Sequence, residues 1–190
     1  MSKQRMGFAL CGSFCTFADI MPIVAQCVKA GYAVTPIMSE TSYNTDTRFG
    51  KAADFRRQLE EITGNPIIHT IVQAEPIGPN ALLDIIVVAP CTGNTLGKLC
   101  NGITDTSVTL AVKAHLRNLR PVVLGVSSND ALSNSAKNIG QLLNYKHIYF
   151  VPMRQDSPVG KPCSIVADFS LVPEAAAHAL HAKQLQPVYL

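Results

Sequence analysis

One junction constrains the fold of this chain more than any other. An apolar segment, residues 83–89, runs directly into a polar, glycine-bearing stretch at residues 90–105. The first part has the length and composition of a buried strand, and the second has the spacing of a turn that opens a helix. Turns of this kind bind ligands in α/β proteins, because backbone N–H groups in the first helical turn lack a partner within the helix. The pattern P-x-x-x-N-T-x-x-K-x-x-x-G-x-x-D is neither a Walker loop nor a G-x-G-x-x-G turn.

Apolar and amphipathic segments alternate along the rest of the chain. The predicted strands are residues 6–11, 33–38, 83–89, 121–126 and 148–152, with 67–73 as a short extended segment. The predicted helices include residues 17–28, 51–63 and 173–183, one after the 90–95 turn and one that reaches residue 143, whereas residues 39–45 and 155–162 are predicted to be loops. Because most strands are apolar throughout, we expect a mostly parallel sheet covered on both faces. This is an α/β fold, a Rossmann-like or flavodoxin-like three-layer sandwich forming a single domain over residues 1–190.

Composition narrows the class of partner. Of the 190 residues, 47% are hydrophobic and 15% are charged, so we expect some apolar surface to be buried between subunits. A net charge of +3 is too small to indicate a nucleic-acid partner.

No apolar run reaches the roughly 18 residues of a membrane span, and the N-terminus fits a first strand better than a signal peptide. The sequence therefore predicts a cytoplasmic protein.

The residues that could bind a metal are not grouped as metal sites require. Six cysteines are present, and their spacing matches neither a zinc site nor a disulfide scaffold, so we expect buried free thiols. His178 and His181 lie three residues apart on the last predicted helix, but no third ligand is near them in sequence. We therefore expect no metal.

Polar turns follow four of the predicted strands, at residues 12–14, 39–42, 90–95 and 127–130. Because the carboxyl ends of parallel strands meet at one edge of a sheet, these turns are expected to share a crevice. Small hydroxyl residues beside helix N-termini suit a phosphate, although each alone is also a common N-cap. The second strand does not end in the acidic residue that holds a ribose, so a mononucleotide fits better than NAD.

His69 is a candidate functional residue, because the other histidines lie on predicted helices or at a strand start, away from the predicted crevice. It follows Pro66 and two isoleucines and precedes Thr70. An imidazole titrates near neutrality, so His69 could act as a general base. A structural histidine held by hydrogen bonds is the alternative.

At Pro90, Asn94, Thr95, Lys98, Gly102 and Asp105 the chain resembles the flavoprotein family of homo-oligomeric, FMN-binding cysteine decarboxylases, which also includes flavin prenyltransferases. Gly12-Ser13 and the hydroxyl loop after the second strand match that family too. The resemblance implies FMN as the cofactor and a homo-oligomer, a trimer or dodecamer, and it places His69 where the decarboxylases carry their active-site histidine. It also implies an FMN phosphate site at Gly12, Ser13, Ser39 and Thr41, and further cofactor contacts from Phe14, Ala89, Pro90, Asn94, Thr95, Ser127, Ser128 and Asn129.

One segment departs from the decarboxylase pattern. Residues 126–133 read VSSNDALS where those enzymes carry P-x-M-N-x-x-M-W, so the asparagine that binds the cysteine carboxylate has no counterpart. Over nearly its full length the chain instead resembles one branch of that protein family, which is found in spore-forming bacteria and works in the mother cell. That branch acts with a second, A subunit, which carries the NAD(P)-binding fold, to oxidise dihydrodipicolinate to dipicolinate.

The resemblance to that branch implies a chemistry for several residues. A flavin accepts hydride, and His69 would act as the base or contact the substrate. Arg154 or Lys161 would bind the substrate carboxylates, with an ordinary solvated charge as the alternative. Two other functions stay open: an FMN-dependent decarboxylase or flavin prenyltransferase, and a non-catalytic FMN-binding partner subunit.

Overall fold

The computed structural model describes residues 3–190, and within them a seven-stranded sheet lies between layers of helices. The strands are β1 (Arg5–Leu10), β2 (Ala33–Met38), β3 (Ile85–Cys91), β4 (Val122–Ser128), β5 (Ile148–Phe150), β6 (Met153–Ser157) and β7 (Lys161–Ala167). The helices are α1 (Phe17–Lys29), α2 (Glu40–Asn44), α3 (Ala52–Thr63), α4 (Ile71–Ala74), α5 (Gly93–Cys100), α6 (Ser107–Leu116), α7 (Ala136–Leu143) and α8 (Val172–Leu180). The predicted α/β three-layer class with a mostly parallel sheet is confirmed.

Strand β3 lies at the centre of the sheet, between β1 and β4 in the order β2-β1-β3-β4-β7-β6. Every residue of β3 is buried, as expected for a strand covered on both faces. Strands β1 to β5 pair in parallel, so the loops after β1, β3 and β4 emerge at the same edge. This topology places the polar turns predicted from the sequence together.

Strand β4 changes partner along its length. Its first half pairs in parallel with β5, whereas Ser127 and Ser128 pair antiparallel with Ile165 and Val166 of β7. Strands β6 and β7 form an antiparallel hairpin, which therefore extends from the carboxyl end of β4. The hairpin stands beside the crevice rather than at a remote edge of the sheet.

Four predicted segments were wrong in type or extent. Residues 155–162, predicted to be a flexible loop, contain the turn of the hairpin and the adjoining ends of both strands, which were missed because these residues are largely exposed and show no apolar alternation. Helix α2 replaces the loop predicted at 39–45, and residues 67–73 contribute a single bridge at Ile68 before α4 begins. The helix before residue 143 begins only at Ala136.

The buried titratable groups of the core are held neutral. His115 of α6 is 1% exposed, and its Nε2–H donates to the Pro121 carbonyl over 3.1 Å. Burial lowers the pKa of His115 to about 4, so the ring is uncharged at neutral pH. Cys11, Cys27, Cys91 and Cys100 are buried free thiols, as predicted, whereas Cys15 and Cys163 are exposed. Across residues 3–190, no helix combines the length and hydrophobicity that crossing a membrane requires.

Candidate functional site

The junction of β3 and α5 is built by threonine hydroxyls. Thr92 is the N-cap of α5, and its Oγ1 accepts a hydrogen bond from the Thr95 backbone N–H over 3.3 Å. The Thr95 hydroxyl points inward and donates to Cys11 Sγ of the adjacent β1 loop over 3.2 Å. Burial raises the pKa of the Cys11 thiol to about 11, so this sulfur stays protonated and serves as an acceptor. The network fixes the start of α5 against the end of β1.

The second half of the motif closes the same helix. Lys98 Nζ contacts both carboxylate oxygens of Asp105, at 2.8 and 3.0 Å. Between these residues, Gly102 adopts a φ of +68°, a left-handed conformation that favours glycine. The Lys98 hydrogen bond lowers the pKa of Asp105. The second half of the motif therefore forms a closed turn directly after α5.

Two hydroxyls meet above β3. Ser13 lies in the loop after β1, and Ser127 lies near the end of β4. Their Oγ atoms are 2.8 Å apart, although β3 separates the two strands in the sheet. The Cys11 backbone N–H also donates to the Pro90 carbonyl over 3.2 Å. These contacts join the three loops that the parallel topology brings to one edge.

Asp130 organises the loop that follows β4. Ser128 Oγ donates to Asp130 Oδ1 over 2.5 Å, and Ser135 Oγ donates to Oδ2 over 3.0 Å. A Cβ atom at Gly93, the first residue of α5, would lie 2.6 Å from Asp130 Oδ1 and from the hydroxyl oxygens of Ser128 and Ser135. Only glycine permits so close an approach of α5 to this loop.

These loops border a cavity of about 1200 Å³ at the carboxyl edge of the sheet. Its walls come from the loops after β1, β3 and β4, from the β6–β7 hairpin, and from residues 48–49 and 167–170. We call it the edge cavity. Its polar side chains include hydroxyls, amides, carboxylates and cations, together with the ring of Phe14, so it offers hydrogen bonds and a flat apolar surface to one ligand.

The structure brings together about half of the residues predicted to bind a cofactor. The edge cavity is lined by Gly12, Ser13, Phe14, Asn94, Ser127, Ser128 and Asn129. The other predicted cofactor residues, which do not belong to this lining, are Ser39, Thr41, Ala89, Pro90 and Thr95.

Of the five residues outside the lining, all except Thr41 are buried. Ser39 is 8% exposed, and its Oγ accepts the Ser42 N–H at the start of α2. Ala89 and Thr95 are buried, and the Thr95 hydroxyl donates to Cys11 Sγ. Thr41 stays near the site, because its methyl group would lie 3.7 Å from a Cβ at Gly12.

His69 is rigidly held, but it does not line the edge cavity. Its Nδ1–H donates to the Ile67 carbonyl over 3.2 Å, so in the neutral ring Nε2 carries the free lone pair. The ring stacks on Tyr43 with centroids 3.7 Å apart, and the His69 backbone N–H donates to Gln73 Oε1. Arg56 lies over the Tyr43 ring at 4.4 Å. These contacts fix both the tautomer and the orientation of the imidazole.

Both cations predicted to bind substrate line the edge cavity, and each already has a carboxylate partner. Lys161 Nζ lies 2.7 Å from Asp156 Oδ2, and Arg154 lies 3.8 Å from Asp168 Oδ2. Hydrogen bonding to Asp156 raises the pKa of Lys161. Sequence reasoning missed both acidic partners, because Asp156 lies in the segment predicted to be a loop and Asp168 follows β7, which was not predicted as a strand. It also missed Arg48 and Phe49, which no sequence pattern distinguished.

Known proteins of similar sequence indicate the family of this chain. A family model described as Flavoprotein matches residues 1–170. The B subunit of dipicolinate synthase from Bacillus subtilis (strain 168) is 44% identical over 188 residues, which cover 99% of this chain and 94% of that protein.

Solved structures give the same relationship. The crystal structure of the dipicolinate synthase B subunit from Bacillus halodurans matches with a TM-score of 0.91 and 43% identity, over 98% of this chain and 96% of that one. The FMN-dependent cysteine decarboxylase SpaF matches with a TM-score of 0.67 and 21% identity, over 94% of this chain and 98% of that one. The second likeness shows a shared fold.

Proposed function

We propose that this chain, which belongs to the flavoprotein family, binds FMN in the edge cavity and acts as the B subunit of a dipicolinate synthase. The observation that carries this proposal is the 44% identity to the Bacillus subtilis protein of that name over 99% of the chain. Its partner would be the A subunit of dipicolinate synthase, and the pair would act in the cytoplasm of the mother cell during sporulation.

The residues of the edge cavity fit a flavin mononucleotide. Ser13, Ser127 and Ser128 offer hydroxyls, and Asn94 and Asn129 offer amides, which suit a phosphate, a ribityl chain and the polar edge of a flavin. The first residues of α5, Gly93 and Asn94, line the same space, and the N-terminus of a helix favours an anion. A volume of about 1200 Å³ leaves room for a second small ligand beside the cofactor.

The proposed reaction removes a hydride and a proton from dihydrodipicolinate and leaves an aromatic pyridine dicarboxylate. Bound flavin supplies the hydride acceptor. The chain's own residues then have two tasks: to hold the ring and its carboxylates in the edge cavity, and to take up the proton. Arg154 and Lys161 are suited to the first task if substrate carboxylates replace Asp168 and Asp156 as their partners.

His69 is the proposed proton acceptor. Its Nδ1–H is committed to the Ile67 carbonyl, so Nε2 is the atom that takes the proton. Because His69 lies outside the lining of the cavity in a single copy, we propose that it acts in a site shared with a second copy of the chain. The high apolar fraction of the sequence, 47%, supports such an association.

FMN binding is the first expected result. Titration of the purified protein with FMN, followed by visible absorption and flavin fluorescence, should show saturable uptake of about one flavin per chain. Asn94→Ala removes one amide from the cavity wall and should weaken FMN binding by roughly tenfold, the value of one hydrogen bond. Asn144→Ala, which removes an exposed amide at the end of α7, is the matched control and should bind like the parent. A colourless protein that takes up no FMN would contradict the proposal.

A further inference from the structure

The segment from Asp46 to Gly50 forms a short, well-held turn at the wall of the edge cavity, and we call it the Arg48 turn. Thr47 and Gly50 exchange two backbone hydrogen bonds of 3.0 and 3.1 Å. The Phe49 N–H donates to Thr47 Oγ1 over 3.2 Å, and Asp46 Oδ1 accepts the N–H of Ala52 over 2.8 Å. These contacts fix the turn at both ends.

The turn is also seated on an aromatic cluster. Gly50 has a φ of +149°, and a Cβ there would lie 2.7 Å from the Phe55 ring. Phe55 packs edge-on against Phe17 at 5.1 Å, and Phe17 contacts Phe14, whose ring lines the edge cavity. The Arg48 turn is therefore packed onto the same cluster that forms part of the cavity wall.

Arg48 differs from the other cations of the edge cavity. Arg154 and Lys161 each have a carboxylate within 4.0 Å, whereas Arg48 has none among residues 3–190. Its guanidinium lies 4.8 Å from the centroid of the exposed Phe49 ring, which supports it without using its N–H donors. A guanidinium held this way presents its donors in a fixed fork, which matches the two oxygens of a carboxylate or phosphate.

We propose that Arg48 binds an oxyanion of the ligand in the edge cavity, with Phe49 as its supporting surface. This inference rests on the proposed function, which supplies two oxyanions: the FMN phosphate and a carboxylate of the pyridine dicarboxylate. The chemistry is the same for both, a bidentate charge-assisted hydrogen bond, and only binding experiments with matched ligands separate them.

The test compares Arg48→Gln with Arg57→Gln, an exposed arginine of α3 that pairs with Asp54 and does not line the cavity. The first ligand pair is FMN and riboflavin, which differ by the phosphate. The second, added to the FMN-loaded protein, is pyridine-2,6-dicarboxylate and pyridine-2-carboxylate, which differ by one carboxylate. Flavin fluorescence and absorbance report both.

Arg48→Gln should weaken binding of one fully charged ligand by about 10- to 100-fold, and leave the ligand that lacks the group nearly unchanged. A loss confined to FMN assigns Arg48 to the phosphate, and a loss confined to the dicarboxylate assigns it to the substrate. Equal affinities of Arg48→Gln and the parent for all four ligands would overturn the inference and leave the proposed function intact. If the parent protein itself bound neither FMN nor the dicarboxylate, the proposed function would fail first.

Discussion

Gly93→Ala is expected to destabilise the protein by about 2–4 kcal/mol and to abolish FMN binding at micromolar concentrations. The added Cβ would lie 2.6 Å from Asp130 Oδ1, Ser128 Oγ and Ser135 Oγ, so the loop after β4 must move away from α5. That movement breaks the hydrogen bonds of both serines to Asp130 and displaces Ser128 from the cavity wall. Urea unfolding and FMN titration measure the two effects.

Gly97→Ala in the same helix is the matched control. A Cβ at Gly97 would meet one neighbour, Asn138 Nδ2, at 3.4 Å. Because alanine is the better helix former, the free energy of unfolding should stay constant or rise by up to about 1 kcal/mol. If Gly93→Ala were as stable as Gly97→Ala and bound FMN normally, the close contact of α5 with the Asp130 loop would not be what shapes the site.

His69→Asn is expected to reduce the turnover of the reconstituted enzyme by about 10²- to 10⁴-fold, the usual contribution of a general base. Asparagine can preserve a hydrogen bond to the Ile67 carbonyl, but it cannot accept the proton. FMN affinity should stay close to the parent value, because His69 is proposed to take up the substrate proton and is not among the cavity residues proposed to hold FMN. The assay follows dihydrodipicolinate oxidation by this chain together with its A-type partner.

His181→Asn provides the control for this experiment. His181 is exposed and caps the end of α8, so its replacement should leave turnover unchanged. Normal turnover of His69→Asn, with FMN bound, would remove the proposed base and leave His69 a structural residue stacked on Tyr43.

The fold could be predicted from the sequence wherever burial leaves a pattern. Strand β3 is apolar because helices cover both of its faces, and its predicted span differs from the observed one by two residues at each end. The β6–β7 hairpin could not be recognised, because Arg154, Gln155 and Asp156 are exposed and give no alternation. Its partner on β4 is set by tertiary contact rather than by local sequence.

The residues of the candidate site could also be predicted only in part. Ser13, Asn94 and Ser127 line the cavity, because the position of a residue after a parallel strand determines which edge it occupies. The sequence does not reveal which way a side chain points within a turn. Ser39 and Thr95 therefore matched the pattern but face hydrogen-bond partners within the protein. Arg48 lies in a turn whose position depends on packing against Phe55.

Oxidation of dihydrodipicolinate by the two purified proteins tests the central claim most directly. The A-type partner, this chain, and both together are assayed with NAD(P), each with FMN present and after its removal. The account predicts full activity only when both chains and FMN are present, and its loss when either chain or FMN is withheld. Full activity of the A-type partner by itself, unaffected by this chain or by FMN, would contradict a catalytic role and leave a non-catalytic binding partner.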